Sequence, residues 1–242
     1  SRDYPWRMET GKRIDEHFVY VFDHFVADQA EADRLNAAKF QPFVDKLIPG
    51  DVVYKDLNGD GKIDDAGDRA AMGNPRTPEI QFGLPITLQY KNFDFSLLLQ
   101  GAANGSLLLH GPAVYDFPFI YQDMRGKVKK MHLDRWTPET AETAKYPALH
   151  LENNTNNKNP NSSLFLYDSK YMRLKNVELG YTLPKTTIRF AGLQNVRIYV
   201  QGLNLLTIDG LKRVNMDPET RDGDGAWYPI QKVFNFGIDI TY

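Results

Sequence analysis

The sequence predicts an all-β chain whose strands read as a segment of a transmembrane antiparallel β-barrel. Three observations predict it. Apolar and polar residues alternate with a period of two over stretches longer than an ordinary globular strand. Short connections fall at one end of the strands and long ones at the other, and aromatic residues stand at the strand ends.

Residues 1–78 read as an extracellular region of loop and short strand, and 79–242 as barrel strands with their loops. In the first region Ile14–Asp23 (IDEHFVYVFD) places Phe18, Tyr20 and Phe22 on one side of an extended segment. Ala27–Lys39 is rich in Ala, Glu and Asp and predicts a short surface helix tucked against the loop after it.

From residue 79 the alternation becomes regular. In EIQFGLPITLQY (79–90), Ile80, Phe82, Leu84, Ile86, Leu88 and Tyr90 share one face. A tight turn at Lys91-Asn92 leads into 92–102, where Phe93, Phe95, Leu97 and Leu99 share a face, so the two strands form a hairpin. In 171–183, Val177, Leu179 and Tyr181 agree in phase while Met172 and Leu174 do not, which predicts a bulge near Lys175. In 195–206, Val196, Ile198 and Val200 alternate with Arg197, Tyr199 and Gln201. In 232–242, Phe234, Phe236, Ile238, Ile240 and Tyr242 share a face. The loops 103–170 and 207–231 are long, and antiparallel order places both at the rim opposite the short turns, the layout of outer-membrane barrels.

A soluble β-sandwich shares this alternation, and a calcium-dependent β-sandwich binding module is the competing reading. Strand length favours the barrel, because crossing a bilayer takes about 9–11 residues per strand. Net charge is −2, which points away from nucleic acid, and the chain has no cysteine. No apolar run reaches the roughly 18 residues of a spanning helix, which excludes helical membrane proteins but not barrels. The chain starts at Ser1 without an initiator Met, which predicts a processed or internal piece.

The segment DLNGDGKIDDAGD (56–68) resembles a calcium loop. Such loops take oxygen ligands at positions 1, 3, 5, 7 and 9, glycine at 6 and an acid at 12. Asp56, Asn58, Asp60, the Lys62 carbonyl and Asp64 fit the first five, Gly61 fits the sixth position, and the closing acid, Asp68, falls one residue late. Without flanking helices the expectation is a structural Ca²⁺ clip, not a switch. An Asx-turn cluster held by its own hydrogen bonds would use the same residues. No catalytic arrangement is visible, and His17, His24, His110, His132 and His150 have no metal-ligand spacing. Tyr115, Phe117, Phe119, Tyr121, Trp136, Trp227 and Tyr228 are loop aromatics able to stack on sugars or pack on a partner, or simply to pack loop on loop. Glu152–Ser163 (ENNTNNKNPNSS) reads as a flexible polar loop.

Taken together, these elements resemble the C-terminal part of the SusC/RagA family of TonB-dependent outer-membrane transporters of Bacteroidota. Pro49–Arg69 is similar to its P-G-D-x-x-Y-x-D-x-N-G-D-G-x-I-D segment, and Met72–Gly105 to its G-N-P-x-P hairpin with the K-N-F-D turn. Tyr171–Lys185 and Val196–Ile208 resemble its L-R-x-K-N-x-x-L-G-Y-x-L-P and G-x-N-L-x-T strands, and FNFGIDITY its terminal strand. The resemblance implies a plugged barrel of about 22 strands, of which five would be present here. It implies an importer of nutrient oligomers, glycans or peptides, and no enzyme. Its partners would be the remainder of the barrel and plug, a SusD-like surface lipoprotein, TonB through an N-terminal part outside this sequence, and the lipid bilayer of a Gram-negative outer membrane.

Overall fold

A computed structural model describes residues 4–114, 128–150, 154–189, 192–220, 222–228 and 230–242. Its first part holds β1 (His17–Tyr20), β2 (Phe22–Phe25), helix α1 (Gln29–Ala37), β3 (Val52–Tyr54) and β4 (Arg69–Met72). β1 pairs with β4 and β2 with β3, both antiparallel. The Asp28 side chain caps α1 by accepting from Glu31 N, and Lys39 at φ +52° ends it in the left-handed region. Ala32 and Leu35 bury one face of the helix against Val26, Leu47 and Val53, so the helix does tuck against the loop that follows it.

The second part is organised by β5 (Ile80–Tyr90), β6 (Phe93–Ala103), β9 (Tyr171–Thr182), β10 (Asn195–Asp209) and β11 (Val233–Thr241), with a short β7 (Ser106–Leu108) paired to β8 (Leu166–Asp168) and a one-turn α2 (Lys185–Ile188). The five long strands form one antiparallel sheet in the order β11-β10-β9-β6-β5. Lys91 takes φ +53° in the two-residue turn that joins β5 to β6.

Register turns the sequence alternation into continuous rows. Leu88, Phe95, Leu179, Val200 and Phe236 lie side by side across all five strands. Tyr90, Phe93, Tyr181, Ile198 and Ile238 form the next row toward the short-turn rim. The rim aromatics meet, with Phe93 and Tyr181 ring centroids 4.7 Å apart. Between Leu98↔Asn176 and Leu99↔Leu174 the pairing skips Lys175, which is the bulge the phase slip requires. It returns Leu174 and Met172 to the apolar face, opposite Leu206 and Ile208.

A sandwich would bury this face under a second sheet. Instead Leu88, Ile238 and Phe236 are 60%, 61% and 82% exposed, as in a lipid-facing wall.

The long connections are packed structures of their own. Leu107, Leu109, Val114, Met131, Tyr146, Phe165 and Leu211 share one buried core. Trp136 is buried, and its ring lies against Gly50, where a Cβ would stand 2.5 Å from the ring, so only glycine lets the backbone approach so closely. The asparagine-rich tract differs from the flexible loop its composition suggests. Asn156 and Asn157 are fully buried. Asn156 accepts from Gln41 Nε2 (2.8 Å) and donates to Val52 O (2.8 Å), and Asn157 Oδ1 accepts from Val52 N (2.9 Å). Asp51 accepts from Asn157 Nδ2 and pairs with His150 Nε2, each at 2.7 Å. The β3 backbone has few strand partners to satisfy its polar groups, and these amides supply them. Leaving one such buried partner unpaired costs about 1–3 kcal/mol, which holds Asn156 and Asn157 in place.

Candidate functional site

The face of the sheet opposite the apolar rows carries the charge. Near the short-turn rim Arg197 on β10 lies among Asp94 on β6, Glu178 on β9 and Asp239 on β11. Its guanidinium binds both Asp94 oxygens and donates to Glu178 at 2.6 Å, with Asp239 at 3.5 Å. Gly180 leaves the space that this guanidinium and Asp94 fill. Gln201 extends the network by donating to Glu178 and accepting from Asn235.

A second network stands at the long-loop end. Glu219, from the connection between β10 and β11, accepts from Gln100 Nε2 (3.0 Å), Tyr171 OH (3.0 Å), Arg173 Nη1 (2.8 Å) and Lys175 Nζ (3.2 Å). Arg173 also donates to Asp217 at 2.6 Å and is only 2% exposed. Residues 217–220 are thereby strapped across the polar face. Sequence reading missed this network, since Glu219 sits in an unpatterned loop. The out-of-place Arg173, a charge inside a long strand, was the available signal.

All six residues expected to ligate calcium sit around one loop, but the side-chain oxygens of Asp56, Asn58, Asp60, Asp64 and Asp68 accept from backbone N–H groups. Asp56 accepts from Gly59 N (2.7 Å) and Gly61 N (2.8 Å), Asn58 from Asp60 N (3.1 Å), and Asp60 from Lys62 N (2.9 Å). Asp64 accepts from Gly67 N (2.6 Å), and Asp68 from Leu57 N (2.8 Å) and Asp64 N (2.7 Å). Gly59 and Gly61, at φ +75° and +81°, make the sharp turn such loops need. Burial pushes the Asp68 carboxyl up, two backbone N–H donors oppose this, and the Asp56 and Asp64 charges add to the rise. Among the described residues no three His, Asp or Glu side chains converge to hold a metal ion. The ligand types and turn fit a calcium loop, and the side-chain convergence does not.

Of the loop aromatics, Trp136 serves packing, whereas Trp227 and Tyr228 are 58% and 81% exposed. Tyr115, Phe117, Phe119 and Tyr121 lie outside the described residues. The long loops are clasped by His110 and Asp222, whose Nε2 and Oδ1 atoms lie 2.7 Å apart, and by His110 N donating to Gly223 O. The hydrogen bond from His110 holds the Asp222 carboxyl below its ordinary value. A depressed carboxylate stabilises the fold above its unfolded pKa and loses that contribution as pH falls through the folded one. Protease access to residues 222–228 is therefore expected to rise below about pH 4, and Asp222→Asn should abolish that acid-dependent step.

No protein-family profile matches the chain. TonB-dependent receptor P3 of Formosa agariphila is 31% identical over 206 residues, covering 80% of this chain and 19% of that protein. Receptor P26 of the same organism is 32% identical over 214 residues, covering 82% and 20%. SusC of Bacteroides thetaiotaomicron is 27% identical over 200 residues, covering 80% and 18%. A solved structure of the RagAB peptide transporter superposes on 94% of the chain, and on 23% of that one, with a TM-score of 0.64 at 19% identity. The chain belongs to the SusC/RagA-like TonB-dependent transporters. It spans about a fifth of the length of the curated relatives it matches. In this SusC/RagA-like segment the five-stranded sheet is part of a β-barrel wall, its apolar rows the outer surface and its charged rows the inner one. These relatives are named as receptors, and the solved neighbour as a transporter.

Proposed function

We propose that this chain is the C-terminal barrel portion of a SusC-like, TonB-dependent importer of nutrient oligomers, glycans or peptides, in the outer membrane of a Gram-negative bacterium. The observation that carries the reading is the two-faced sheet: apolar rows exposed on one side and ion-pair networks on the other, spread over five strands. A closed barrel removes the two free edges, β5 and β11, and gives each face its own solvent. The importer works with the remainder of the barrel, a plug that TonB engages, and a SusD-like surface lipoprotein seated over the long loops. The relatives named SusC and RagAB support this assembly.

Fractionation of cells with an antibody to this segment tests the reading. The expected result is an outer-membrane band about four to five times the size of this chain, given the share of the relatives covered. A soluble band of the size of this chain alone would overturn it.

The 56–68 loop is proposed to be a structural Ca²⁺ clip, supported by its ligand types and by the burial of the Asp68 carboxyl, to which the Asp56 and Asp64 charges add, a cost that a cation would relieve. Chelation is expected to raise proteolysis within 50–70 by roughly tenfold while the barrel stays folded. Unchanged cleavage would mark the loop as a self-capped Asx-turn cluster.

A further inference from the structure

Between the 217–220 strap and the long-loop end of the charged face lies a cavity of about 700 Å³. Its floor is the sheet itself: Gln81 and Tyr171 stand in one cross-strand row and Gln100 in the next. Pro218, Glu219 and Thr220 roof it, and Thr77, Ser106 and Ser169 are among its walls.

Three properties of this cavity narrow what it can hold. Its size suits a few units of an oligomer, within the roughly 300–1,000 Å³ range of ligand sites. Three charged residues line it, and each has an opposite charge near it. Glu219 is paired with Arg173 and Lys175, which stand outside the lining, and Asp15 and Arg76 line the cavity together. An ionic ligand would find no net opposite charge and would lose hydration on entry. Beside these charged groups its polar side chains are amides and hydroxyls, and two of them have hydrogen-bonding capacity to spare. Neither Gln81 nor Ser169 makes a side-chain hydrogen bond among the described residues, whereas Gln100 and Tyr171 are committed to Glu219. An amide and a hydroxyl with spare capacity, beside a tyrosine ring, suit a ligand that both donates and accepts at many points.

We propose that this cavity is a cargo-contacting site selective for an uncharged, hydroxyl-bearing stretch of the transported oligomer, with Gln81 and Ser169 as its contact residues. The proposal rests on the importer reading and adds to it the place of contact and a discrimination by charge. The strap supplies rigidity: because Glu219 is held by four donors, the roof keeps its shape when no cargo is present.

The test uses the full-length transporter in its native cells. They are offered a mixture of neutral hexasaccharides, the corresponding uronic-acid hexasaccharides and a tryptic peptide digest, and depletion of each is followed by mass spectrometry. With the native transporter the neutral hexasaccharides are expected to be taken up, the uronic acids and charged peptides at least tenfold more slowly. Gln81→Ala with Ser169→Ala should slow uptake of the neutral class about tenfold. Gln89→Ala, the same change on the same strand at the far rim, should leave it unchanged. Gln81→Glu should penalise acidic cargo further. Equal effects of the Gln81 and Gln89 changes, or none from either while uptake continues, would overturn the cavity as the site and leave the importer reading intact. Preferred uptake of the acidic class or of peptides would overturn the charge argument. No transporter-dependent uptake of any class would sink the importer reading, and the cavity proposal with it.

Discussion

Replacing Arg173 with methionine is expected to free the 217–220 strap and to cost about 3 kcal/mol, the low end of the range for breaking a buried ion pair. The guanidinium has almost no solvent, and it serves Asp217, Glu219 and the Thr207 hydroxyl at once. Without it Asp217 and Glu219 lose their shared cation, and only Glu219 keeps a counter-charge, Lys175. The low end applies because Asp217 and Glu219 keep some contact with water, at 13% and 21% side-chain exposure. Cleavage between 210 and 220 by a protease added to the folded transporter should rise roughly a hundredfold, the factor that corresponds to this energy. Adding Asp217→Asn and Glu219→Gln to Arg173→Met should recover most of the loss, because no charge is then left unpaired. Failure of the neutral triple variant to recover would mean that Arg173 acts through packing and not through the ion network.

The same residue shows why some of this molecule was legible from sequence and some was not. The five strands were readable because a wall with lipid on one side and a polar lumen on the other forces a strict period of two. Even the interruption at Lys175 left a trace, as the phase error between Leu174 and Val177. The turn at Lys91 and the helix after Asp28 were readable for a similar reason: each depends on neighbours within four residues.

The buried asparagines were not readable. Asn156 and Asn157 owe their burial to Gln41, Asp51 and Val52, more than 100 residues away, and a run of polar residues carries no record of such distant partners. The strap has the same property, since Glu219 is an ordinary loop residue until Gln100, Arg173 and Lys175 are brought beside it. For the calcium-like loop, the sequence spacing places the six residues along one turn. What it did not reveal was the direction of their oxygens, which depends on whether backbone amides or a cation claim them.

A charge placed on the apolar face should show which solvent that face meets. Leu97 stands in the row Ile86, Leu97, Val177, Gly202 and Phe234, well inside the strand ends. Leu97→Arg is expected to cost about 2–4 kcal/mol, the penalty for a cation near the bilayer midplane of a barrel. Tyr90→Arg, on the same face at the short-turn rim, should cost about 0–1 kcal/mol, because the side chain reaches the interface. Ser96→Arg, the next residue on the opposite face, points toward Thr87 and Glu178 and should be tolerated, Glu178 offering it a counter-charge. Urea unfolding of the full-length protein in lipid vesicles measures all three. The gradient from Leu97 to Tyr90 is the deciding quantity. A lipid wall grades the penalty by depth, whereas a face buried under a second protein layer would penalise each position by how tightly it is packed, with no dependence on distance from the rim. Equal losses at Leu97 and Tyr90 would therefore contradict a membrane-facing surface even if both variants were strongly destabilised.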